Sequence, residues 1–467
     1  MLHGSDKTLW LPDLIYKAGQ FEERLGIACD DGGKIVGLSV PAPEFARTVS
    51  LAGRAMLPGL VNAHSHAFQR VIRGRTEYRT RNEKDSFWTW REMMYSAATR
   101  LTPEDIYDAS RMAFLEMALS GITAVGEFHY LHNQPDGTPY DDPNLLAKEV
   151  VRAARDVGLR IALLRVAYAR SGFQSEPNLR QARFIEADPD VYLDNVTKLR
   201  KDLAELAGQA WVGLAPHSVR AAPLNYLKEV VHLGNEQALP IHMHVAEQPA
   251  EVSACIEEYG RSPVALLETE GLLSERFTGV HVIHITPKAV RMLAQARAMV
   301  CACPTTERNL GDGIVPADTL FRENVRVSLG TDSQVQIDLL EDARELEYHL
   351  RLQKIERIVL AGRDAGQPGL ASKLFDCATV NGAQSIGAPS RNFESGLPAD
   401  FFTVDLNDPS IAGASQDDLL PSIVFSLSRS AVRDVVVGGK RIVEDGRHAA
   451  QDEIVASFRD LQRKLWS

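Results

Sequence analysis

The sequence predicts an α/β protein: a (β/α)8 barrel of the TIM type with a small discontinuous β-sandwich-like domain built from the N- and C-terminal segments. Three observations predict it. From about residue 57, short apolar runs alternate with stretches of helical periodicity, the pattern of parallel strands wrapped by helices. Eight such runs occur, the number that closes a barrel. At both ends of the chain the style changes to short strands and Gly-rich turns. A length of 467 residues suits a barrel of about 250 residues or more plus an accessory domain.

Taken in order, residues 1–56 form the first part of the small domain. There Asp30-Asp31-Gly32-Gly33-Lys34 is a turn leading into alternating Ile35-Val36-Gly37-Leu38, a hairpin. Residues 57–388 form the barrel. Its first strand is the apolar run that begins at Leu57 and ends in His64-Ser65-His66. The others are Thr123–Phe128, Arg160–Val166, Trp211–Ala215, Pro240–Val245, Val280–Ile285, Ala298–Ala302 and Val325–Leu329. Helical patterns such as Pro103–Leu119, Leu145–Val157 and Ala289–Ala296 separate them. Residues 389–467 return to strands, clearest at Gly396–Asp405 and at Val432–Val437 before Gly438-Gly439.

Composition narrows the function classes. A net charge of −11 argues against a nucleic-acid or anionic-membrane partner. No run reaches the ~18 apolar residues of a membrane span. The five cysteines form no CxxC pair, which fits a reduced cytoplasmic protein; Cys301 and Cys303 read as packed strand residues. Met1–Asp6 lacks the basic and apolar regions of a secretion signal.

The chemistry begins at His64 and His66. Side chains at i and i+2 of a strand share a face, so the two imidazoles can grip one metal ion. Barrel enzymes place their chemistry at the C-terminal strand ends. Such ends here also carry His242-Met243-His244-Val245-Ala246-Glu247, His284, and Gly330-Thr331-Asp332. Each alone reads as a packed or turn residue. Together they form an N/O donor set suited to Zn²⁺ or a similar divalent ion.

This order of motifs resembles the amidohydrolase superfamily. The resemblance implies that His64, His66, His244 and Asp332 bind the metal and that Asp332 takes the proton of the attacking water. It implies that His284 orients the water or substrate, and that Glu247 is the proton shuttle of the deaminase branch. His242 and His281 are then structural. Dinuclear members carry a bridging lysine at the fourth strand. Gly213–Ser218 contains none, which favours one metal ion.

Five further motifs resemble the formimidoylglutamate deiminase family. They are His64–Arg70, Asp85–Glu92 (with Trp88-Thr89-Trp90-Arg91), Glu127-Phe128-His129-Tyr130, His217–Ala221 and Glu307–Gly313. The resemblance implies a small-molecule substrate, N-formimino-L-glutamate, hydrolysed to N-formyl-L-glutamate and ammonia in histidine degradation, and a homodimer. Gln69, Arg91, Tyr130, His217 and Arg220 would hold the substrate, with the guanidinium forks gripping its carboxylates. Another deaminase of the superfamily, acting on guanine, cytosine or an adenosine derivative, would need stacking and amide groups and no arginine pair. The basic stretch Arg70, Arg73, Arg75, Arg79 and Arg81 reads as solvated, steering or structural.

Overall fold

The computed structural model describes residues 7–39, 45, 47–79, 86–175, 178–362, 369–389 and 392–467. Met1–Asp6, Arg81 and Asp85 lie outside the described residues. Eight parallel strands form the barrel: β1 (Leu60–Ser65), β2 (Ile122–His129), β3 (Arg160–Ala167), β4 (Ala210–Pro216), β5 (Ile241–Val245), β6 (Phe277–His281), β7 (Met299–Ala302) and β8 (Val327–Leu329). They neighbour one another in chain order. β1, β2 and β3 are buried at every position. That double-sided burial is why their sequences read as continuous apolar runs and do not alternate.

The first and last strands meet at a short bridge between Ser65 and Asp332. Asp332 N donates to His64 O and His66 N donates to Asp332 O, each at 3.0 Å. Gly330 permits the approach: a Cβ there would lie 2.7 Å from His64 Cβ and 2.8 Å from His64 O. Buried polar groups reinforce the seam. Asn62 Nδ2 donates to Thr331 Oγ1 (2.8 Å), and Gln334 Nε2 donates to Ser65 Oγ (2.8 Å).

Two helices follow β1. Helix α1 (Phe87–Ala98) is capped by a Ser86–Thr89 capping box, and α2 (Pro103–Leu119) by a Thr102–Asp105 box with proline in its first turn. The terminal segments form one continuous nine-stranded mixed sheet. Its strand Phe401–Asp405 pairs with Arg47–Pro58, which runs through Gly59 directly into β1. Trp10, Ile27, Met56 and Phe401 pack on one face of this sheet.

The C-terminal helix α3 (Gln451–Trp466) lies along the barrel. Gln462 Nε2 and Trp466 Nε1 both donate to Val71 O, at 2.9 and 3.3 Å, and Lys464 pairs with Asp105 of α2. The arginines after β1 are tied down here. Arg70 Nε and Arg73 Nη1 hold Glu116 at 2.5 and 2.7 Å, and Arg75 stacks on Trp466. Among the described residues no helix is long and apolar enough to cross a membrane.

Candidate active site

At the C-terminal mouth of the barrel, ligand atoms of His64, His66, His244 and Asp332 all lie within 4.8 Å of one another, and all four residues are buried. His64 Nε2 is 3.2 Å from His66 Nε2, and Asp332 Oδ1 is 3.4 and 3.2 Å from those two nitrogens. Backbone carbonyls set the ring orientation: His66 Nδ1 donates to Phe128 O (2.9 Å) and His244 Nδ1 to His217 O (3.2 Å). Their Nε2 lone pairs are thereby turned into the cluster. Burial pushes His64 down to about 3 and His244 well below the usual histidine range. Burial opposes charge on Asp332, but His64 and His66 hold it well below the usual carboxylate range. Three imidazoles and one carboxylate converging in a dry site fit a divalent cation.

Beneath the ligands, Ser65 Oγ meets Glu127 Oε2 at 2.5 Å and Ala67 N donates to Glu127 Oε1 at 2.7 Å. Burial pushes Glu127 up to about 8, against the pull of the Ser65 hydroxyl and the Ala67 N–H.

One expected position is corrected. His284 is outside the cluster: it is half-buried and its Nε2 donates to Asp312 O at 2.8 Å. His281 stands in its place. Its ring stacks on His244 with centroids 5.5 Å apart, and its Nε2 lies 3.7 Å from Glu247 Oε1 and 3.8 Å from Asp332 Oδ2. The reason is where β6 stops. It ends at His281, four residues before the expected end at Ile285, because His281 (φ 67°) and Val282 (φ 55°) turn the chain through left-handed conformations. A β-branched residue rarely adopts that conformation, so an apolar run gives no warning of it. His242, expected to be structural, is buried away from the cluster with Nε2 on Ser385 O at 2.8 Å.

Glu247 is buried beside His281, and burial pushes its carboxyl up to about 7 against the pull of His281. Burial opposes a proton on His281, but Glu247, a hydrogen bond to Glu307 and Asp332 together hold it well above the usual range.

One cavity joins this centre to Gln69, Arg91, Tyr130, His217 and Arg220. Gln69 comes from the turn after β1, Tyr130 from the residue after β2, His217 and Arg220 from the loop after β4, and Arg91 from α1. Arg91 lies 4.5 Å over the Trp88 ring and 5.4 Å over Tyr95; Arg220 lies 5.8 Å from Trp88. Arg91 Nε, Arg220 Nε and Gln69 Oε1 are buried and have no hydrogen-bond partner among the described residues. Gln69 Nε2 is occupied by Tyr130 OH at 2.8 Å. Burial drives His217 well below the usual range, so it is neutral. Sequence reasoning missed Tyr95, Tyr168 and Gln181, and had Glu307 only as the first residue of a family motif with no role assigned. Only Tyr95 left a signal, since it follows Arg91 by four residues and so shares its helix face.

Known proteins carry the same pattern. The amidohydrolase family model matches residues 55–442. A formimidoylglutamate deiminase of Pseudomonas aeruginosa is 40% identical over 87% of this chain and 88% of its own. A 5-methylthioadenosine/S-adenosylhomocysteine deaminase of Syntrophomonas wolfei is 28% identical over 91% of this chain and 90% of its own. The crystal structure of an amidohydrolase from Brucella melitensis superposes with a TM-score of 0.90 at 34% identity, covering 98% of this chain and 100% of that one. An adenosine deaminase structure from Xanthomonas campestris with bound zinc shares the fold, with a TM-score of 0.82 at 22% identity over 98% of each chain. With the family model spanning barrel and sheet alike, this chain belongs to the amidohydrolase family.

Proposed function

We propose that the enzyme hydrolyses N-formimino-L-glutamate to N-formyl-L-glutamate and ammonia. The observation that carries this reading is a cavity lined by two half-buried arginines, whose buried Nε atoms have no partner among the described residues, and by a buried three-histidine, one-aspartate centre. Buried guanidinium donors without partners are costly unless an anion completes them. The substrate has two carboxylates at one end and a cationic formimino group at the other. The cavity carries both kinds of group: Glu247 and Asp332 line it with Arg91 and Arg220, and Arg220 lies within electrostatic reach of Glu247. The 40% identity to a formimidoylglutamate deiminase supports the same reading.

His64, His66, His244 and Asp332 would hold one divalent ion, which we take to be zinc from the N/O donor set. When bound, it supplies Lewis-acid polarisation and acidifies a water. The chain does the rest. His281 carries a proton on Nε2 and donates toward the attacking water, which Asp332 deprotonates. Water adds to the formimino carbon, and the bond from that carbon to the terminal nitrogen breaks. Glu247, poised near neutrality, carries the proton to that nitrogen, and ammonia leaves. Gln69 Oε1 is free to accept a substrate N–H, while Tyr130 and His217 flank it. The clamp holds the formimino carbon at the centre, a positioning effect worth several kcal/mol, on the order of 7 or more in favourable cases. The same reading carries a homodimer in the cytoplasm, in keeping with five buried free cysteines.

Steady-state ammonia release from N-formimino-L-glutamate, with the product identified as the formyl amino acid, tests this. Release of formamide or of free glutamate would place the cleavage at the other C–N bond and overturn it.

A further inference from the structure

Two tyrosines on the cavity wall have no role in the reaction as described. Tyr95 of α1 and Tyr168, just after β3, are each 2% exposed and line the cavity beside Arg91 and Arg220. Gln181, 1% exposed, bridges them: its Nε2 lies 2.6 Å from Tyr95 OH and 2.7 Å from Tyr168 OH. An amide nitrogen has two hydrogens and accepts nothing, so both phenol oxygens are acceptors here and their own hydrogens must go elsewhere. Tyr168 hydrogen bonds to Tyr95. Among the described residues the Tyr95 hydrogen then finds no acceptor. The nearby arginines cannot provide one, because guanidinium only donates. Both tyrosines nevertheless lie within electrostatic reach of both arginines. Phe184, also on the cavity wall, packs 5.8 Å from each tyrosine ring.

We propose that Tyr95 and Tyr168, set by Gln181, form a hydroxyl subsite between Arg91 and Arg220 that binds one substrate carboxylate. The phenol hydrogen completes the coordination of an anion that the two guanidinium groups grip. Tyr95 touches the carboxylate, Tyr168 relays its orientation, and Gln181 is a positioning residue. This rests on the dicarboxylate reading above.

Tyr95→Phe removes the hydroxyl and keeps the ring under Arg91. Its KM for N-formimino-L-glutamate should rise about 10- to 100-fold, with kcat and metal content unchanged. Gln181→Leu should shift KM in the same direction. Calorimetric binding of two monoacid analogues supplies the control that a packing defect would not reproduce. These are N-formimino-4-aminobutyrate, lacking the near carboxylate, and N-formimino-L-norvaline, lacking the far one. The Tyr95→Phe penalty should vanish for one of them and persist for the other. An unchanged KM, or an equal penalty for all three ligands, overturns the subsite while wild-type turnover of N-formimino-L-glutamate leaves the parent reading standing. Failure of the wild type to turn it over sinks both.

Discussion

Glu307 Oε1 lies 3.2 Å from His281 Nδ1 and also accepts the Cys303 N–H at 2.9 Å. The backbone thus fixes the carboxylate, and the carboxylate fixes which imidazole nitrogen faces Asp332 and Glu247. Groups that orient residues at a metal site typically matter by about 10- to 100-fold. Glu307→Gln should lower kcat by that factor with metal content intact. Wild-type kcat in this variant would show that His281 needs no such partner.

Glu247→Gln should bind substrate and metal normally and lose about a hundred- to ten-thousand-fold in kcat. Metal analysis beside steady-state kinetics checks it. Turnover near wild type would require another proton carrier.

Arg91→Met and Arg220→Met should each lower kcat/KM by about 100- to 10,000-fold, since charge-assisted hydrogen bonds are worth roughly 1.5–3 kcal/mol each and a fork makes two. The Arg220 variant should melt no lower than wild type without substrate, because a buried Nε with no partner among the described residues is removed. A large drop in Tm would mean that Arg220 is held for stability.

Chelation should abolish ammonia release and lower Tm. Three histidines and an aspartate are left facing one another, and an ion present at about a thousand times its Kd contributes about 4 kcal/mol to stability. Zn²⁺ should restore both signals. Full activity after exhaustive chelation would contradict the assignment of the centre.

Acid stability should depend on Glu186. Burial opposes its charge, yet His132, the fully buried Arg165 and Asn195 bring its carboxyl down to about 2. A carboxylate depressed in the folded state stabilises above its unfolded pKa, and that contribution is lost as pH falls through the folded value. Between about pH 5 and pH 2 the wild type should therefore lose about 3 kcal/mol that Glu186→Gln does not lose. Denaturant unfolding at the two pH values measures the difference.

What the sequence made legible follows from what kind of signal each residue leaves. Barrel strands buried on both faces are apolar runs, so β2 to β5 are visible to within a residue or two. The helices Pro103–Leu119 and Leu145–Val157 match their periodicity. His64, His66, His244 and Asp332 are legible because strand ends carry chemistry. His281 is not, because a left-handed turn at a valine ends its strand early. Tyr168 and Gln181 are invisible for another reason: they lie on separate connections, and only the packing around Phe184 brings them to Arg91. For Arg70 and Arg73 the sequence left solvated, steering and structural roles open, because their partner Glu116 is distant in the chain.

The Ser65–Asp332 bridge has a bearing on how the enzyme is born. Its two donor-bearing strands are the first and last of the barrel. A nascent chain emerging from the ribosome carries the three histidines long before Asp332 arrives, and the four-residue cluster cannot assemble until residue 332 is out. High-affinity ion uptake during synthesis would therefore report completion of the barrel, and half-made chains would stay chemically silent.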